Sequence, residues 1–469
     1  MPAIREARRV DGQPRRMVTV PPDVIDASAA APVTGRASGR DPRCYGSGMT
    51  SASTPRPARL PGLCVAFATA AAALACGRSG PPSRPGDPAE AWVSDPGYHV
   101  TVFAANLGHA RQMAVAPSGD LFVNNGDVTV VFDDDHSGAS GDAERATFAT
   151  APGLNHGLAL SPEGAYVYAS SSTTVYRWRY TAGARRAAGA AEVVVSRIPD
   201  GGHVTRTLVF DSRGRLYVSV GSAGNVDVGP ALQTRAQIRR FALADPLPAG
   251  GVDYATGEVV ASGMRNEVGL YMDARDRMWG VENGRDVLTA DGTDIHNGNP
   301  GEEVNLVDGT GSTFYGYSSC YSEFDRPGGL GAGTQWADTE LAAAIRKTDA
   351  WCRDPANVHP PVFAMPAHWA PLGIVEYQGS QLPIGHDLIV ASHGSWNSDN
   401  PVGRVIARLH RSGDAITSYE VIAGERGPDG ALRQGQWNVR PVDVREAADG
   451  ALYFSDDLGG RVFKITYGK

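Results

Sequence analysis

Six stretches of this chain are variations on one unit: an alternating apolar strand, a turn around Asp, Gly or Pro, and a second alternating strand. The first two read Gln112-Met-Ala-Val-Ala-Pro-Ser-Gly-Asp-Leu-Phe-Val and His156-Gly-Leu-Ala-Leu-Ser-Pro-Glu-Gly-Ala-Tyr-Val-Tyr. The third and fourth are Thr207-Leu-Val-Phe-Asp-Ser-Arg-Gly-Arg-Leu-Tyr-Val and Val268-Gly-Leu-Tyr-Met-Asp-Ala-Arg-Asp-Arg-Met-Trp. A looser fifth runs from Leu372-Gly-Ile-Val-Glu-Tyr to Asp387-Leu-Ile-Val-Ala-Ser, and the sixth is Val442-Asp-Val-Arg-Glu-Ala-Ala-Asp-Gly-Ala-Leu-Tyr-Phe. Repetition at roughly 40–60 residues with period-two alternation inside each copy predicts blades of a propeller. A lone hairpin exposes an apolar face and two open edges; radial stacking buries the faces and ring closure removes most edges.

The expected fold is therefore all-β, a six-bladed β-propeller over residues 96–469, closed by pairing Tyr98–Ala104 with Arg461–Tyr467. With 57 Gly and 32 Pro the composition suits short strands and tight turns better than a helical bundle. A β-sandwich with a second domain is the competing architecture, and it leaves the repetition unexplained. Only residues 338–348, inside the long insertion between the fourth and fifth copies, have good helical composition. The formal charge of −8, without a Lys/Arg stripe, gives no reason to expect nucleic acid.

Residues 1–48 are rich in Arg, Pro, Ala and Asp without strand or helix period and read as a disordered or misassigned extension. Residues 49–75 carry Arg56 and Arg59 and then an apolar run over 65–75, too short to span a bilayer, which fits a signal peptide. Ala73-Leu-Ala-Cys76 resembles a bacterial lipobox, so Cys76 is the expected lipidation site; plain secretion and an uncleaved anchor are the alternatives. The chain is thus expected to be exported, periplasmic or at the cell surface, and to meet the membrane only through that anchor. Residues 76–95 read as a flexible tether. Cys44 and Cys64 fall in the removed region, leaving Cys320 and Cys352 for a disulfide in an oxidising compartment, ahead of a metal site that would want further ligands.

Loops between blades converge on one end of a propeller's channel, so chemistry is sought just before the inner strand of each copy. Those positions read Asn155-His156, Gly201-Gly202-His203, Arg265-Asn266, His393-Gly-Ser-Trp396 and Asn438-Val-Arg440-Pro441. On chemistry alone His203 is equally a turn residue, and Arg265-Asn266 a tie between blades. His156 and Trp396 either line a pocket or pack its rim. Asp133-Asp-Asp-His136 and the polar residues 291–299 read as solvated loops before cation sites.

The segments Gly202-His203-Val-Thr-Arg-Thr-Leu-Val-Phe, Gly263-Met-Arg265-Asn266-Glu-Val-Gly-Leu and Gly301-Glu-Glu-Val-Asn-Leu with Phe314-Tyr-Gly-Tyr resemble matching segments of the soluble PQQ-dependent glucose/sorbosone (aldose sugar) dehydrogenases. The resemblance spans about residues 96 to 469. It implies two cofactors, PQQ and calcium, and oxidation of an aldose or related sugar aldehyde at C1, with electrons passed to an external acceptor. His203 matches the family's general base, whose unshifted pKa near 6.5 suits proton abstraction at neutral pH. Arg265 matches the cation beside the reactive quinone carbonyl, Asn266 would touch the same edge, and Arg440 matches an arginine on the cofactor's carboxylates. Asn155 aligns with a polar residue that holds the substrate hydroxyl, while His156 and Trp396 are the other substrate candidates. The loop carbonyls that hold calcium would be those of Gly284 and Arg285.

Three positions depart from the family. Its acidic residue immediately before the base is Gly202 here, which leaves Asp200 as the nearest carboxylate to orient His203. A lysine expected in the fifth copy is absent and His393 is the nearest substitute; the second of two arginines near Arg440 is Val442. Two other functions stay open at this point: a carbohydrate-binding propeller without catalysis, and a metal-dependent lactonase needing Glu, Asn and Asp ligands on the channel.

Overall fold

The computed structural model describes residues 84–307, 309 and 313–468. The signal-peptide and lipidation expectations, including Cys76, lie outside them. Six antiparallel sheets follow the six sequence copies. Their inner strands are Met113–Val115, Leu154–Leu160, Leu208–Phe210, Glu267–Met272, Pro371–Glu376 and Pro441–Glu446. Each packs on the next and the sixth on the first, so the wheel closes. The sixth sheet takes its outer strand from the other end of the repeat region: Tyr98–Ala104 pairs antiparallel with Arg461–Tyr467, with Tyr98 opposite Tyr467.

Each blade is sandwiched between two others, and this explains why second strands such as Leu216–Val220 and Leu388–Ser392 are buried at every residue. A separate apolar cluster fills each interface: Phe122, Leu158 and Trp178 join blades one and two, while Trp279, Val304, Ile374 and Leu388 join four and five. Every such side chain taken wholly from water contributes roughly 1.5–3 kcal/mol before entropy is counted. The turn between the first two strands carries its own clamp. Asp211 accepts the Arg213 and Arg215 amides at 3.1 and 2.9 Å and pairs with Arg215 Nε at 2.6 Å. Asp273 repeats this with Arg275 and Arg277 in the next blade.

Two expectations are corrected. Part of the supposed tether is structured: Ala91–Val93 forms a strand against Ala415–Arg426 of the fifth blade. Residues 338–348 are not helical either. The helix is Asp349–Cys352, opened by Thr348, whose side chain accepts the Trp351 amide at 3.2 Å. Helical backbone is denied to the preceding stretch because Asp338 turns the chain by accepting the Glu340 amide at 2.9 Å, and both carboxylates are taken by Arg285. Cys320 and Cys352 are disulfide-bonded, tying this insertion together. No helix among the described residues is long and apolar enough to cross a membrane.

Candidate functional site

In an antiparallel hairpin the start of the first strand and the end of the second share one end of the sheet. Both kinds of loop therefore meet on the same face of the wheel. There they enclose a cavity of about 180 Å³ whose wall includes His203, Arg265, Asn266, Asn283, Gly284, Glu302 and residues 393–396. The expected grouping of His203, Arg265 and His393 around one space is observed. His393 and Trp396 arrive by a different route from the one expected, since they follow the second strand of the fifth blade, Leu388–Ser392, and do not precede its inner strand.

His203 is held by its own backbone and by its ring. Its amide donates to the Ser222 carbonyl at 3.0 Å, and Nδ1 lies 3.1 Å from that oxygen and 3.0 Å from Ser222 Oγ. With the proton on Nδ1 directed at the Ser222 carbonyl, Nε2 is left as an acceptor, and it makes no hydrogen bond among the described residues. Burial and the Arg265 charge push the imidazole down to about 4, so it is neutral at pH 7. The expectation that Asp200 orients it fails: that carboxylate is exposed and accepts the amide of Gly201 at 2.8 Å. Gly202 explains why no acid precedes the base. Its φ is +60°, and a Cβ there would lie 2.5 Å from Ala223 Cα and 2.6 Å from the Ser222 carbonyl oxygen.

Arg265 is 5% exposed and its donors are all directed. Nη1 donates to the carbonyls of Gly284 at 2.6 Å and Asn283 at 3.2 Å, and Nη2 to Asn225 Oδ1 at 3.0 Å and Asp286 Oδ2 at 2.9 Å. One of the two carbonyls expected to hold calcium, that of Gly284, thus already faces a guanidinium; that of Arg285 accepts no hydrogen bond among the described residues. The Arg285 side chain points elsewhere, to Asp338 and Glu340. Glu302, buried in the wall, accepts the amides of Gly284 at 2.7 Å and Ala370 at 3.1 Å, and burial pushes it up to about 7.

Beside the cavity Asp457 binds three basic groups: Arg111 Nη1 at 2.6 Å, Arg440 Nε at 2.7 Å and His393 Nε2 at 3.2 Å. Burial opposes its ionisation, but His393 and Arg111 hold it well below the usual carboxylate range. Arg404 adds another cation here; burial and then Arg440 lower its pKa. Around Asp457, guanidinium charge exceeds carboxylate charge. Neither Asn155 nor His156 lines the cavity. Asn155 donates to the Val204 carbonyl at 3.0 Å, beside the base. His156 is 1% exposed with both ring nitrogens unpartnered, and burial followed by Arg111 and Arg445 drives its pKa well down. Trp396 stands 79% exposed at the rim.

Sequence reasoning missed Ser222, Asp457, Glu302 and Arg111. Arg111 obeys the rule already in use, since it directly precedes the first copy's inner strand; Ser222 and Asp457 sit in loops after second strands, where the rule did not look.

A family model described as TrAA12-like matches residues 92–468. A PQQ-dependent pyranose dehydrogenase of Coprinopsis cinerea is 31% identical over 345 residues, covering 66% of this chain and 46% of that protein. The chain thus spans about half the length of that relative. A PQQ-dependent sugar dehydrogenase of Hypocrea jecorina is 29% identical over 408 residues, covering 80% of this chain and 89% of its own. The holo PQQ domain of the Coprinopsis cinerea pyranose dehydrogenase superposes with a TM-score of 0.69 at 28% identity, over 79% of this chain and 96% of that one.

Proposed function

The chain belongs to the TrAA12-like family, and on that premise we propose that it is a PQQ-dependent dehydrogenase oxidising an aldose or related sugar at C1. One observation carries the reading: a neutral imidazole, fixed through Nδ1, shares a cavity with a buried guanidinium 5% exposed. PQQ when bound supplies an ortho-quinone that accepts the C1 hydride. The donor set suits such a flat trianion, because Arg111, Arg404 and Arg440 outnumber Asp457 beside the cavity and His156 keeps two unpartnered nitrogens. Arg440 and His393 would hold carboxylates, and Arg265 with Asn266 the quinone edge.

His203 Nε2 takes the proton of the anomeric hydroxyl, and Nδ1–H stays on Ser222, so the imidazolium that forms keeps a carbonyl partner. Arg265 carries a fixed positive charge where negative charge grows, and its five bonds hold it without reorganisation. Trp396 offers an exposed ring for a pyranose face. Calcium would take the Gly284 and Arg285 carbonyls in competition with Arg265. The lactonase alternative is poorly supported: Asp286 is paired with Arg265, and Glu302 is committed to two backbone amides.

Purified protein supplied with PQQ and calcium should reduce a dye acceptor with one or more aldoses, and His203→Ala should abolish this while leaving thermal stability near wild type. Sugar binding without dye reduction under any loading would refute the reading. Export and lipid attachment at Cys76 complete the proposal, supported by the apolar run before it; fatty-acid labelling that persists in Cys76→Ala would refute attachment there.

A further inference from the structure

Two arginines behind the His203 loop have no part in the chemistry above and no carboxylate within ion-pair distance among the described residues. Arg206 is fully buried and Arg235 is 6% exposed. Arg206 Nη1 donates to the carbonyls of His203 and Thr205, both at 2.6 Å, Nη2 to that of Pro199 at 2.6 Å, and Nε to that of Ser172 at 3.0 Å. Arg235 Nη1 donates to the Gly201 carbonyl at 3.0 Å and Nη2 to that of Asp200. Between them the guanidiniums bind the carbonyls of residues 199, 200, 201, 203 and 205, nearly the whole loop that presents His203.

Placing two like charges in the interior against carbonyl dipoles alone is expensive. The strain is visible: burial, then Arg235, pushes Arg206 down to about 10. A loop needing only a tether would be held by an apolar contact or a neutral amide. What the rigid guanidinium fork adds is direction, because each N–H fixes one carbonyl plane.

We propose that Arg206 and Arg235 are positioning residues for His203, locking residues 199–205 so that Nδ1 rests on Ser222 and Nε2 faces the cavity. The inference rests on the reading of His203 as the base. It predicts that Arg206→Met and Arg235→Met in the PQQ- and calcium-loaded protein lower kcat roughly 10- to 100-fold, the scale of an ångström-level misplacement of a catalytic group. KM for the sugar and affinity for PQQ should stay within about twofold, since neither arginine lines the cavity. Arg206→Lys should recover part of kcat, because an ammonium reaches some of the same carbonyls.

Amide hydrogen exchange in the same variants, without cofactor, should accelerate over 199–205 and stay unchanged in the sixth blade's Pro441–Glu446. A merely structural role would instead raise exchange across the wheel and lower kcat and PQQ affinity together. If Arg206→Met fails to fold, Arg206→Lys and Arg235→Met carry the same comparison. Should His203→Ala be inactive while both arginine variants keep wild-type kcat and loop protection, positioning alone is overturned. Should His203→Ala turn over normally, or the wild type show no activity, the reading of the base fails and the inference goes with it.

Discussion

Restoring the acid that related dehydrogenases place before their base is the natural experiment on this chain, and the structure says it will fail. Gly202 has φ +60°, a region that is strained for any other residue by roughly 1–2 kcal/mol. An Asp Cβ at this position would stand 2.5 Å from Ala223 Cα and from its carbonyl oxygen, where ordinary contact begins at 3.4 Å, so the two segments would have to part by 0.9 Å (3.4 − 2.5). The atoms in the way are backbone, which cannot rotate aside. The same opening would break the His203 amide bond to Ser222, 3.0 Å, and the Nδ1 contacts beside it. Each broken bond removes about 1 kcal/mol, so Gly202→Asp should cost about 3 kcal/mol in all. Urea unfolding followed by tryptophan fluorescence reads the stability, and dye reduction reads kcat, which should fall at least tenfold as the imidazole loses its orientation, the scale expected for a misplaced catalytic group. Gly202→Asp with an unchanged urea midpoint and a higher kcat would refute the geometry. It would mean that the 202 and 222–223 segments are not in contact.

Asp457→Asn should lower unfolding free energy by roughly 3 kcal/mol, because it strands Arg111, Arg440 and His393 without their shared carboxylate; a loss below about 0.5 kcal/mol in urea would show that solvent already screens the cluster. Cys320→Ser removes a crosslink of sequence separation 32 and should cost about 3 to 4 kcal/mol, with wild type in reductant behaving alike; identical melts with and without reductant would contradict this. His203 gives a pH signature whose sign follows from its depressed pKa, about 4 folded against about 6.5 unfolded. The folded state binds fewer protons in that window, so its contribution is whole above pH 6.5 and drains as pH falls toward 4. Relative to His203→Gln, the wild type should therefore lose roughly 2 kcal/mol between pH 7 and 4.5; a constant difference would place His203 in water.

The wheel was legible in the sequence because its cause is local. Each copy must alternate to face two neighbours, and the closing pair Tyr98–Ala104 with Arg461–Tyr467 is the one arrangement that leaves the sixth sheet complete. The missed residues lie where that logic is silent. Ser222 and Asp457 carry no unusual chemistry in the text, and they acquire roles only because the second strand returns to the face where the first begins. Had the search covered both ends of every hairpin, Asn283, His393 and Asp457 would have stood in one series with Ser222. The failed assignment of Asp200 has a different root. Counting residues from His203 treated the loop as a flexible chain able to fold a carboxylate back, whereas Arg206 and Arg235 hold its carbonyls inward and turn the Asp200 side chain to solvent. A departure from a family motif is therefore not a vacancy to be filled by the nearest similar side chain. Gly202 lets the backbone of 222–223 close in, and that closure brings the Ser222 carbonyl to Nδ1, so the missing acid and its replacement are one structural event.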